Sequence, residues 1–411
     1  MDEVVESTEL AVVGGGPAGL RVAEVASKAG VQIRLFEGQR GVARKFLVAG
    51  RGGLNLTHGE NVEDFVTRYR GPELSSKFWK QALSEMSPNE LREWAKNLGS
   101  ETVEASSGRV YPYQRRAAPL LRAWLERLRE QDVMISVRHL LVDLSKKDEG
   151  WELVFSTPDG LLRLKAKAVV MALGGASWPR TGSDGGWFSL CEKLGLATQP
   201  WAAANCGWEV EWPEAIARFE GEPLKNLELE VGNEKRRGEL VLTSYGLEGG
   251  PIYALGPALR AMEDPVLSIN FKSSLAPEVI ARKMESVRRN FVEEAKVRLK
   301  LPPVVGEVLT EFAGPFEESE AGKERFLDAV QGCRIPLRNP RPIAEAISSA
   351  GGISWRELDE QLMAKSCPGL FFAGEMIDWE APTGGYLLQG CFSTGTLVGK
   401  AAARWTNLTR G

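Results

Sequence analysis

Residues 10–37, LAVVGGGPAGLRVAEVASKAGVQIRLFE, decide the fold of this chain. Four apolar residues lead into a glycine-rich turn, an amphipathic segment follows, and a second apolar strand ends at Glu37. Gly14 allows the tight turn out of the strand, Gly16 leaves room for a pyrophosphate, and Gly19 lets the helix pack closely on the sheet. The helix amino terminus then faces the phosphates, and Glu37 lies where an acid accepts hydrogen bonds from a ribose. Against an ordinary glycine-rich turn, the whole pattern favours a dinucleotide-binding βαβ unit.

Composition limits the class of protein. The chain has 411 residues, 43% hydrophobic and 26% charged, with a formal net charge of −4. That length predicts a soluble globular protein of about two or three domains. No global basic charge calls for nucleic acid, and we take the short basic runs at 115–116 and 235–237 as solvated faces. The acidic start lacks a signal-peptide pattern, and no run of about eighteen apolar residues occurs, so we expect a cytoplasmic protein without a membrane partner.

Cysteine and histidine usage excludes several kinds of site. The chain has five cysteines that lie far apart and form no CxxC pair: Cys191, Cys206, Cys333, Cys367 and Cys391. We therefore expect neither a dithiol redox centre nor a disulfide scaffold. Two histidines cannot support a histidine-rich metal site, so we expect no metal.

Changes in sequence texture predict the domain organisation. Residues 60–131 read as helical, and residues 133–171 read as a small antiparallel meander that ends in a buried strand. From about residue 200 short alternating segments and then a charged helical stretch follow, and at Ile343 the glycine-rich, strand-then-helix pattern returns. We expect an α/β protein with a discontinuous Rossmann-like domain and an inserted domain. The predicted bounds are 1–198 and 339–411 for the Rossmann-like domain and 199–338 for the insertion, β-rich and barrel-like over 199–271 and mainly helical over 272–338.

Two further signals distinguish FAD from NAD. Residues 369–375, GLFFAGE, form a buried strand that ends in a glycine and an acid. Glu375 can hydrogen-bond a ribityl hydroxyl while Gly374 lets the ribityl chain lie close. Residues 383–389, TGGYLLQ, open the last helix, and free N–H groups there can face the pyrimidine edge of a flavin. The competing interpretation is a glycine-rich loop before a core helix. We expect FAD, bound non-covalently.

These motifs resemble those of a known family, the YhiN-like bacterial flavoproteins, with aminoacetone-oxidase-like and bile-acid-reductase-like members. The motifs that carry the resemblance are GGGPAG at 14–19, RKFLVAGRGGLNLT at 44–57, GRVYP at 108–112, ALGG at 172–175, GELVLT at 238–243 and GEMIDWEAPTGGY at 374–386. They span nearly the whole chain and are least specific over 199–335. The resemblance implies bound FAD in a discontinuous domain of the glutathione-reductase type, and an insertion that closes over the flavin.

The chain departs from the family pattern at several polar positions. Ala49 and Leu54 stand where many members have serine and cysteine, and an arginine is usual near Gly53. Ser244 replaces a histidine, and Leu387 replaces an asparagine after the last tyrosine motif. We therefore expect a less polar active-site lining than in those relatives, which weakens substrate inference from them.

Candidate cofactor contacts follow from the motifs and from the resemblance. Arg44 and Lys45 can neutralise a pyrophosphate or remain solvated loop charges. Asn55 and Thr57 can contact the cofactor or satisfy a turn, and Leu141 can place its backbone against the adenine. The full predicted set is Gly14, Gly16, Pro17, Ala18, Gly19, Glu37, Arg44, Lys45, Asn55, Thr57, Leu141, Ala172, Gly174, Gly374, Glu375, Thr383, Gly384, Gly385, Tyr386 and Leu387.

The sequence assigns no catalytic residue. His58 is a candidate proton donor or acceptor near the flavin, with a surface histidine as the alternative. Tyr386, and Tyr245 with Thr243, are candidate pocket residues that can equally be walls. Cys391 allows covalent flavin attachment, against the simpler interpretation of a small buried cysteine. Two acids, Asp378 and Glu380, can contact the ribityl chain or a cationic amine, or lie in a solvated loop.

Three functions remain open from the sequence. We expect an FAD-dependent oxidoreductase that moves hydride between a small organic substrate and flavin N5. No second GxGxxG unit occurs in 199–335, so the flavin is reduced either by its substrate, as in an oxidase, or by NAD(P)H as a transient reductant. One alternative is an FAD-dependent tRNA-modifying protein, which needs a basic, aromatic-bearing surface. The other is a non-catalytic or redox-sensing flavoprotein. Oligomeric state and substrate identity stay open, and we expect no nucleic-acid partner.

Overall fold

The computed structural model describes residues 6–50, 52–73 and 75–409, so the first five residues of the acidic start and Arg51 of the second motif lie outside the described residues. The strands are β1 (Glu6–Val13), β2 (Ile33–Glu37), β3 (Thr57–His58), β4 (Thr102–Glu104), β5 (Arg109–Pro112), β6 (Met134–Val137), β7 (Leu140–Lys147), β8 (Gly150–Thr157), β9 (Gly160–Met171), β10 (Thr198–Ala204), β11 (Trp208–Glu209), β12 (Pro223–Val231), β13 (Glu234–Thr243), β14 (Gly246–Glu248), β15 (Val266–Asn270), β16 (Cys333–Pro336), β17 (Ser348–Ile353) and β18 (Leu370–Phe372). The helices are α1 (Pro17–Lys28), α2 (Arg44–Ala49), α3 (Val62–Val66), α4 (Ser76–Glu85), α5 (Pro88–Lys96), α6 (Ala117–Glu130), α7 (Phe188–Lys193), α8 (Glu214–Ala217), α9 (Gly250–Arg260), α10 (Pro277–Met284), α11 (Phe291–Arg298), α12 (Pro303–Ala313), α13 (Glu320–Gly332) and α14 (Tyr386–Leu408).

The chain divides into two compact units. Unit 1 contains Met1–Ala202 and Ser348–Gly411, and unit 2 contains Ala203–Ile347. The predicted insertion, 199–338, therefore starts earlier and ends earlier than unit 2. One boundary lies within β10 and the other at the start of β17, and the pairing of these two strands leaves no change of composition in the sequence.

Unit 1 is built on a seven-stranded sheet in the order β6–β2–β1–β9–β8–β7, with β18 also beside β9. Strand β1 runs parallel to β2 and β9, and β18 runs parallel to β9, so their carboxyl ends meet at one edge. Strands β7 to β9 form the antiparallel meander expected from the sequence. The expected α/β class with a Rossmann-like parallel sheet is confirmed.

Helices α1 and α14 of unit 1 pack closely because small residues line their contact. A Cβ added at Gly395 would lie 2.7 Å from the carbonyl oxygen of Ala18, and one added at Gly399 would lie 2.8 Å from Cβ of Val25. Distances below 3.0 Å leave no room for a side chain. The long last helix is thereby held against the helix that follows the first glycine motif.

Unit 2 is built on a six-stranded antiparallel sheet in the order β11–β14–β13–β12–β15–β16, with α9 to α13 completing its core. The N–H of Glu209 donates to the carbonyl of Asn339 at 2.9 Å, so the chain after β16 pairs with the first strand, in a barrel-like closure. Strand β16 lies within 272–338, which the sequence predicted to be mainly helical. Its four residues are too few for periodicity to reveal a strand.

Candidate cofactor site

The carboxyl edge of the parallel sheet is shaped by glycines that tolerate no side chain. Gly14 follows β1 with φ +110°, and a Cβ there would lie 2.2 Å from the carbonyl oxygen of Ala172, which follows β9. A Cβ at Gly19 would lie 2.0 Å from the carbonyl oxygen of Gly14. The roles predicted for these two glycines are therefore visible in the backbone: the turn is tight, and α1 starts directly against the strand end.

Gly16 differs from the other motif glycines, because no heavy atom lies within 4 Å of a Cβ built on it. It caps α1 without a side-chain hydrogen bond, Pro17 takes the first helical position, and the first turn carries no acidic residue. The amino terminus of α1 thus presents free N–H groups and open space on the same side. This arrangement fits the pyrophosphate of FAD, which needs backbone donors and a close approach.

Glu37 is held in place by two backbone groups. Its Oε2 accepts a hydrogen bond from the N–H of Gly15 at 2.9 Å, and its Oε1 accepts one from the N–H of Gln39 at 2.8 Å. Each carboxylate oxygen has a second lone pair for a ribose hydroxyl. The residue is half-buried at the end of β2, where the sequence placed a ribose-binding acid. The structure therefore orients Glu37 for the predicted contact.

Leu141 lies in β7, and the segment before that strand runs beside Glu37. The N–H of His139 donates to the carbonyl of Glu37 at 2.9 Å, which joins the two segments. Leu141 itself is buried, at 8% exposure. Its position agrees with the predicted backbone contact to the adenine, which stays a prediction.

Lys45 and Arg44 have different surroundings. Lys45 Nζ lies 3.6 Å from Glu375 Oε2 and donates to Ser177 Oγ at 2.6 Å, so it joins α2 to the segment after β18. Arg44 donates to Gln39 Oε1 at 2.6 Å and is held on the surface. Of the two cations, Lys45 is the one that lies beside Glu375, at the carboxyl end of β18.

Replacing Lys45 by alanine is expected to weaken FAD binding by about 10- to 100-fold, the usual cost of one lost charge-assisted hydrogen bond. The loss is expected because Glu375 would face the cofactor without its cation. Fluorescence titration of the apoprotein with FAD measures the change. Lys193→Ala is the matched control, since Lys193 pairs at 3.4 Å with Asp143 on the exposed surface. Equal affinities of the two variants would contradict the assignment.

The segment Gly374–Glu375 after β18 also depends on a glycine with a positive φ. Gly374 has φ +75°, and a Cβ there would lie 2.8 Å from Cβ of Ala18 in the first turn of α1. Gly174, after β9, has φ +76°, and a Cβ there would lie 2.7 Å from Ser183 Oγ. The predicted residues Gly14, Ala18, Ala172, Gly174 and Gly374 are therefore gathered at one edge of the sheet.

Helix α14 begins with a backbone cap. Gly384 and Gly385 have φ +131° and +98°, and a Cβ on Gly385 would lie 2.5 Å from the carbonyl carbon of Thr57. Gly385 caps the helix without a side chain, and the first turn contains no acid. The helix end is thus free to receive a negatively charged group. Thr383 and Leu387 flank it, half-buried.

Asn55 supplies an independent test of fit. Its Oδ1 is buried and has no hydrogen-bond partner within the part of the chain that the structure describes. Leaving such an acceptor unsatisfied costs about 1–3 kcal/mol. A ligand with an N–H or O–H group, such as the imide of a flavin, would remove that cost, so Asn55 fits the predicted cofactor contact.

Two predicted side chains are used inside the protein instead. Thr57 is fully buried, and its hydroxyl donates to Gln389 Oε1 at 2.6 Å, so its side chain is not a cofactor contact. His58 Nε2 lies 3.1 Å from the carbonyl of Ser107, and its Nδ1 accepts from the N–H of Glu60 at 3.2 Å. Both ring nitrogens of His58 are paired to backbone groups, which favours a structural role, and its role as a proton donor or acceptor stays a prediction.

Tyr386 turns into the protein from the start of α14. Its ring packs on His58 at 5.2 Å and on Phe65 at 4.7 Å between centroids. Burial, together with a hydrogen bond to Glu60, raises the pKa of Tyr386. Arg68 holds Glu60 through two bonds of 3.0 and 2.7 Å. Tyr386 therefore packs inside the protein at the start of α14. This packing agrees with the interpretation of Tyr386 as a residue that lines the pocket.

Cys391 lies one turn further along α14. A Cβ on Gly374 would be 3.6 Å from its Sγ. Burial raises the pKa of the Cys391 thiol, with the carboxylate of Glu375 adding to the shift. Since the thiolate is the nucleophile, this environment disfavours covalent flavin attachment.

Tyr245 and Thr243 lie in unit 2, at the β13–β14 turn. The Thr243 hydroxyl accepts from the N–H of Gly246 at 3.1 Å. The Tyr245 and Tyr253 hydroxyls both donate to the carboxylate of Glu248. Burial, and then the bond to Glu248, raises the pKa of Tyr245 to about 12. Tyr245 therefore keeps its proton, and its role toward a substrate stays a prediction.

The glycine-rich pattern that returns at Ile343 contains the SSAGGI strand β17, whose place at the site the sequence did not predict. Its Ser349 hydroxyl accepts from the N–H of Ala176 at 3.0 Å, just beyond β9. Gly351 and Gly352 have φ +97° and +125°, and a Cβ on Gly352 would lie 2.3 Å from the carbonyl oxygen of Met376. The double glycine at 351–352 is the signal that could have placed β17 at this edge.

Asp378 connects β17 to the acid motif. It is 3% exposed, and its Oδ1 accepts from the N–H of Gly351 at 3.0 Å. Burial raises the pKa of Asp378 to about 6; the Gly351 bond opposes that rise, and nearby Glu380 and Glu73 add to it. Asp378 is therefore a positioning residue for the Gly351 turn and not part of a solvated loop.

A pH-dependent stability difference follows for Asp378→Asn. The folded pKa is raised above the ordinary 3.8, so the stability contribution of the aspartate is fully present below about pH 3.8 and is lost as pH rises through about 6. Asparagine does not ionise, so its free energy of unfolding lacks this pH dependence. We expect the free energy of unfolding of Asp378→Asn, relative to that of the wild type, to be about 1–2 kcal/mol more favourable at pH 8 than at pH 4. Urea unfolding at both pH values measures this. A constant difference would contradict it, and Asp143→Asn on the surface is the control.

Two observations concern residues 6–50, 52–73 and 75–409, which the structure describes. No helix there combines the length and apolar character that a bilayer crossing requires. No group of histidine, cysteine, aspartate and glutamate side chains there is arranged to hold a metal ion. All five cysteines are buried, and none is in a disulfide.

Comparison with known proteins places this site in context. The family described as HI0933-like protein Rossmann domain matches residues 8–401. A 3-dehydro-bile acid delta(4,6)-reductase from Clostridium scindens is 26% identical over 96% of this chain and 98% of its own length. A ribosomal RNA dihydrouridine synthase from Escherichia coli is 21% identical over 95% of this chain and 96% of its own.

Solved structures share the fold. A 3-ketosteroid-delta4-(5alpha)-dehydrogenase from Rhodococcus jostii has a TM-score of 0.56 and 15% identity, over 98% of each chain. The open form of a flavocytochrome c3 fumarate reductase has a TM-score of 0.53 and 16% identity, over 98% of this chain and 79% of the other. At these identities the likeness concerns the fold alone.

Proposed function

We propose a function on one premise: this chain belongs to the HI0933-like Rossmann family of FAD-dependent oxidoreductases. The match over residues 8–401 covers most of both segments of unit 1, and the family resemblance inferred from the sequence motifs is confirmed. On this premise we infer that the chain is a reductase that adds hydride and a proton across a carbon–carbon double bond conjugated to a carbonyl group.

The names of two relatives support this choice of reaction. One is a reductase of 3-dehydro bile acids, and the other makes dihydrouridine in ribosomal RNA. A 3-oxo-Δ4,6 steroid and a uracil ring share one chemical feature, a double bond polarised by a carbonyl. Such a bond accepts hydride at the carbon remote from the carbonyl. The shared feature defines the substrate class and leaves open whether the substrate is a small molecule or a base in RNA.

The observation that carries the proposal is a pair of glycine-containing segments. One is Gly374 with Glu375 after β18, where Lys45 lies 3.6 Å from Glu375, and the other is Gly384 with Gly385 before α14. When bound, FAD supplies hydride transfer through its isoalloxazine ring. Glu375 and Lys45 would hold the ribityl and phosphate portion. The amino terminus of the 23-residue helix α14, which carries no side-chain cap, would stabilise negative charge at the pyrimidine edge. Asn55 would offer its unpaired acceptor to a donor on the ring.

The test is anaerobic reoxidation of the chemically reduced holoprotein. We expect 4-androstene-3,17-dione or a uridine-containing RNA to reoxidise the flavin and to yield the product saturated at that bond. NADH and NADPH are tested separately as reductants. A flavin that no conjugated carbonyl compound reoxidises, but that oxygen reoxidises rapidly, would overturn the reductase proposal in favour of an oxidase. A flavin that exchanges electrons with no organic compound would favour the non-catalytic alternative.

A further inference from the structure

We propose that Gln389 is a positioning residue for the flavin ring. Its side chain fixes the spacing between the two groups that the proposed function assigns to the flavin ring, namely Asn55 and the amino terminus of α14. The inference rests on the proposed function and deepens it, because it names the contact that holds those two groups together. Gln389 itself is assigned no contact with the cofactor, since it acts through Thr57 in β3.

The side chain of Gln389 is buried and hydrogen-bonded at both ends of its amide. It has no exposed surface. Its Oε1 accepts from the Thr57 hydroxyl at 2.6 Å, and its Nε2 donates to the carbonyl of Met86 at 2.7 Å and to Ser393 Oγ at 3.0 Å. A buried amide is costly unless its polar atoms are hydrogen-bonded. An apolar side chain could fill this space without that requirement, so the hydrogen bonds distinguish glutamine at this position.

Gln389 also contacts the cap of α14 through its backbone. Its N–H donates to the carbonyl of Gly385 at 3.0 Å, which is the first helical hydrogen bond after the cap. Gly385 and Thr57 touch directly, because a Cβ on Gly385 would lie 2.5 Å from the carbonyl carbon of Thr57. This contact prevents the strand and the helix from moving closer, and the bond from Thr57 to Gln389 prevents them from separating.

Asn55 belongs to the same extended segment as Thr57. The N–H of Leu56, which lies between them, donates to the carbonyl of Val110 at 2.8 Å, so the segment is paired with β5 on both sides of that residue. A displacement of Thr57 is therefore expected to move Asn55, two residues earlier. Asn55 Oδ1 is the buried acceptor that has no partner within the described part of the chain. Its approach to a donor on the flavin ring thus depends on where Thr57 is held.

The other end of the amide is anchored where two helices meet. Met86 caps the carboxyl end of α4, and Ser87 caps the amino end of α5 with a capping box. The carbonyl of Met86 accepts from both Gln389 Nε2 and the Ser393 hydroxyl, each at 2.7 Å. The junction of α4 and α5 therefore orients the amide, and the amide in turn holds Thr57.

The test begins with Thr57→Val, which keeps the shape of the side chain and removes its hydroxyl. We expect the affinity of the apoprotein for FAD to fall about tenfold, because Gln389 Oε1 loses its donor and β3 is no longer tied to α14. Thr57→Ser keeps the hydroxyl and should bind FAD within about twofold of the wild type. The matched control is Thr406→Val, since Thr406 is equally buried and its hydroxyl donates at 2.8 Å to the carbonyl of Ala402 within α14.

The midpoint potential of the bound flavin separates positioning from stability. The positive end of α14 favours the reduced, negatively charged flavin, so Thr57→Val should weaken binding of reduced flavin about tenfold more than binding of oxidised flavin. That ratio corresponds to a fall in potential of about 30 mV for a two-electron couple. Thr406→Val should leave the potential unchanged, even where it lowers the temperature of thermal unfolding.

A double variant tests whether the hydrogen bond itself is responsible. Gln389→Met keeps a flexible side chain of similar length without the amide. Because both changes break the same bond, Thr57→Val/Gln389→Met should bind FAD within about twofold of the weaker single variant. Losses that multiply in the double variant would overturn the inference, as would equal losses of FAD affinity in Thr57→Val and Thr406→Val.

Reoxidation of the reduced wild-type flavin is measured in parallel, with 4-androstene-3,17-dione and with a uridine-containing RNA. Reoxidation by either compound, together with wild-type affinity and potential in Thr57→Val, removes this inference alone. A wild-type flavin that neither compound reoxidises removes the proposed function. Lower affinity and lower potential in Thr57→Val, restored in Thr57→Ser and absent in Thr406→Val, support the role of Gln389.

Discussion

Gly14→Ala is expected to abolish FAD binding. The new methyl group would lie 2.2 Å from the carbonyl oxygen of Ala172, and the backbone φ of +110° is one that alanine rarely adopts. The strand end at β9 or the start of α1 must therefore move, and the phosphate-binding N–H groups move with it. We expect affinity for FAD to fall by more than about 100-fold, measured by titration of the apoprotein.

Gly16→Ala separates cofactor contact from folding. No protein atom lies within 4 Å of the added methyl group, so the thermal stability of the apoprotein should be unchanged within about 0.5 kcal/mol. The methyl group nevertheless occupies the space that the pyrophosphate is expected to use. Gly41→Ala is the control, since its added methyl group also meets no atom within 4 Å and lies outside the motif. Full FAD affinity in Gly16→Ala would contradict the assigned pyrophosphate position.

Glu24→Ala is expected to destabilise unit 1 by about 3–5 kcal/mol, the usual cost of removing one partner from a buried ionic network. Glu24 lies in α1 with no exposed surface. Its Oε2 accepts from the indole N–H groups of Trp94 and Trp124 at 2.9 and 3.0 Å. Its carboxylate also contacts Arg21 at 3.0 Å and Arg127 at 3.2 Å. Removing the carboxylate takes the shared partner away from two half-buried arginines and two indole donors.

The Glu24 network explains why the loss should be large. Trp94 belongs to α5 and Trp124 to α6, so one carboxylate joins both helices to the dinucleotide-binding helix. Burial alone would raise the pKa of Glu24, yet Arg21 and Lys28 bring it below its ordinary value. The urea unfolding midpoint of the variant measures the effect. Glu126→Ala is the control, as Glu126 is exposed and pairs with the exposed Arg129 at 3.6 Å. A loss below about 1 kcal/mol would show that the network is dispensable.

Much of the cofactor site could be predicted because its determinants are local in sequence. Residues 10–37 contain the strand, turn, helix and acid that form one half of the cradle, and each appears with its expected geometry. Gly374 and Glu375 could likewise be predicted as cofactor contacts, since a buried strand that ends in a glycine and an acid is typical of a dinucleotide-binding edge. Local spacing is sufficient where one loop supplies all the groups.

The rest depends on contacts between distant segments. Lys45 pairs with Glu375, and Asp378 accepts from Gly351, through strand order that no spacing rule supplies. No hydrogen-bond partner for the His58 ring is evident from the sequence, yet the pairing of β3 with β5 brings the carbonyl of Ser107 to that ring. The basic runs at 115–116 and 235–237 look alike in the sequence, because only neighbours on adjacent strands determine which arginines pair with a carboxylate.

The measurement that tests the account most directly is the flavin content of the full-length protein. The account predicts that denaturation releases about one FAD per chain, and that the apoprotein rebinds it with an affinity that Gly16→Ala lowers and Gly41→Ala does not. A protein that is purified without flavin and takes up none on titration would contradict the claim that FAD lies across the amino terminus of α1. Flavin that stays attached after denaturation would contradict the non-covalent site.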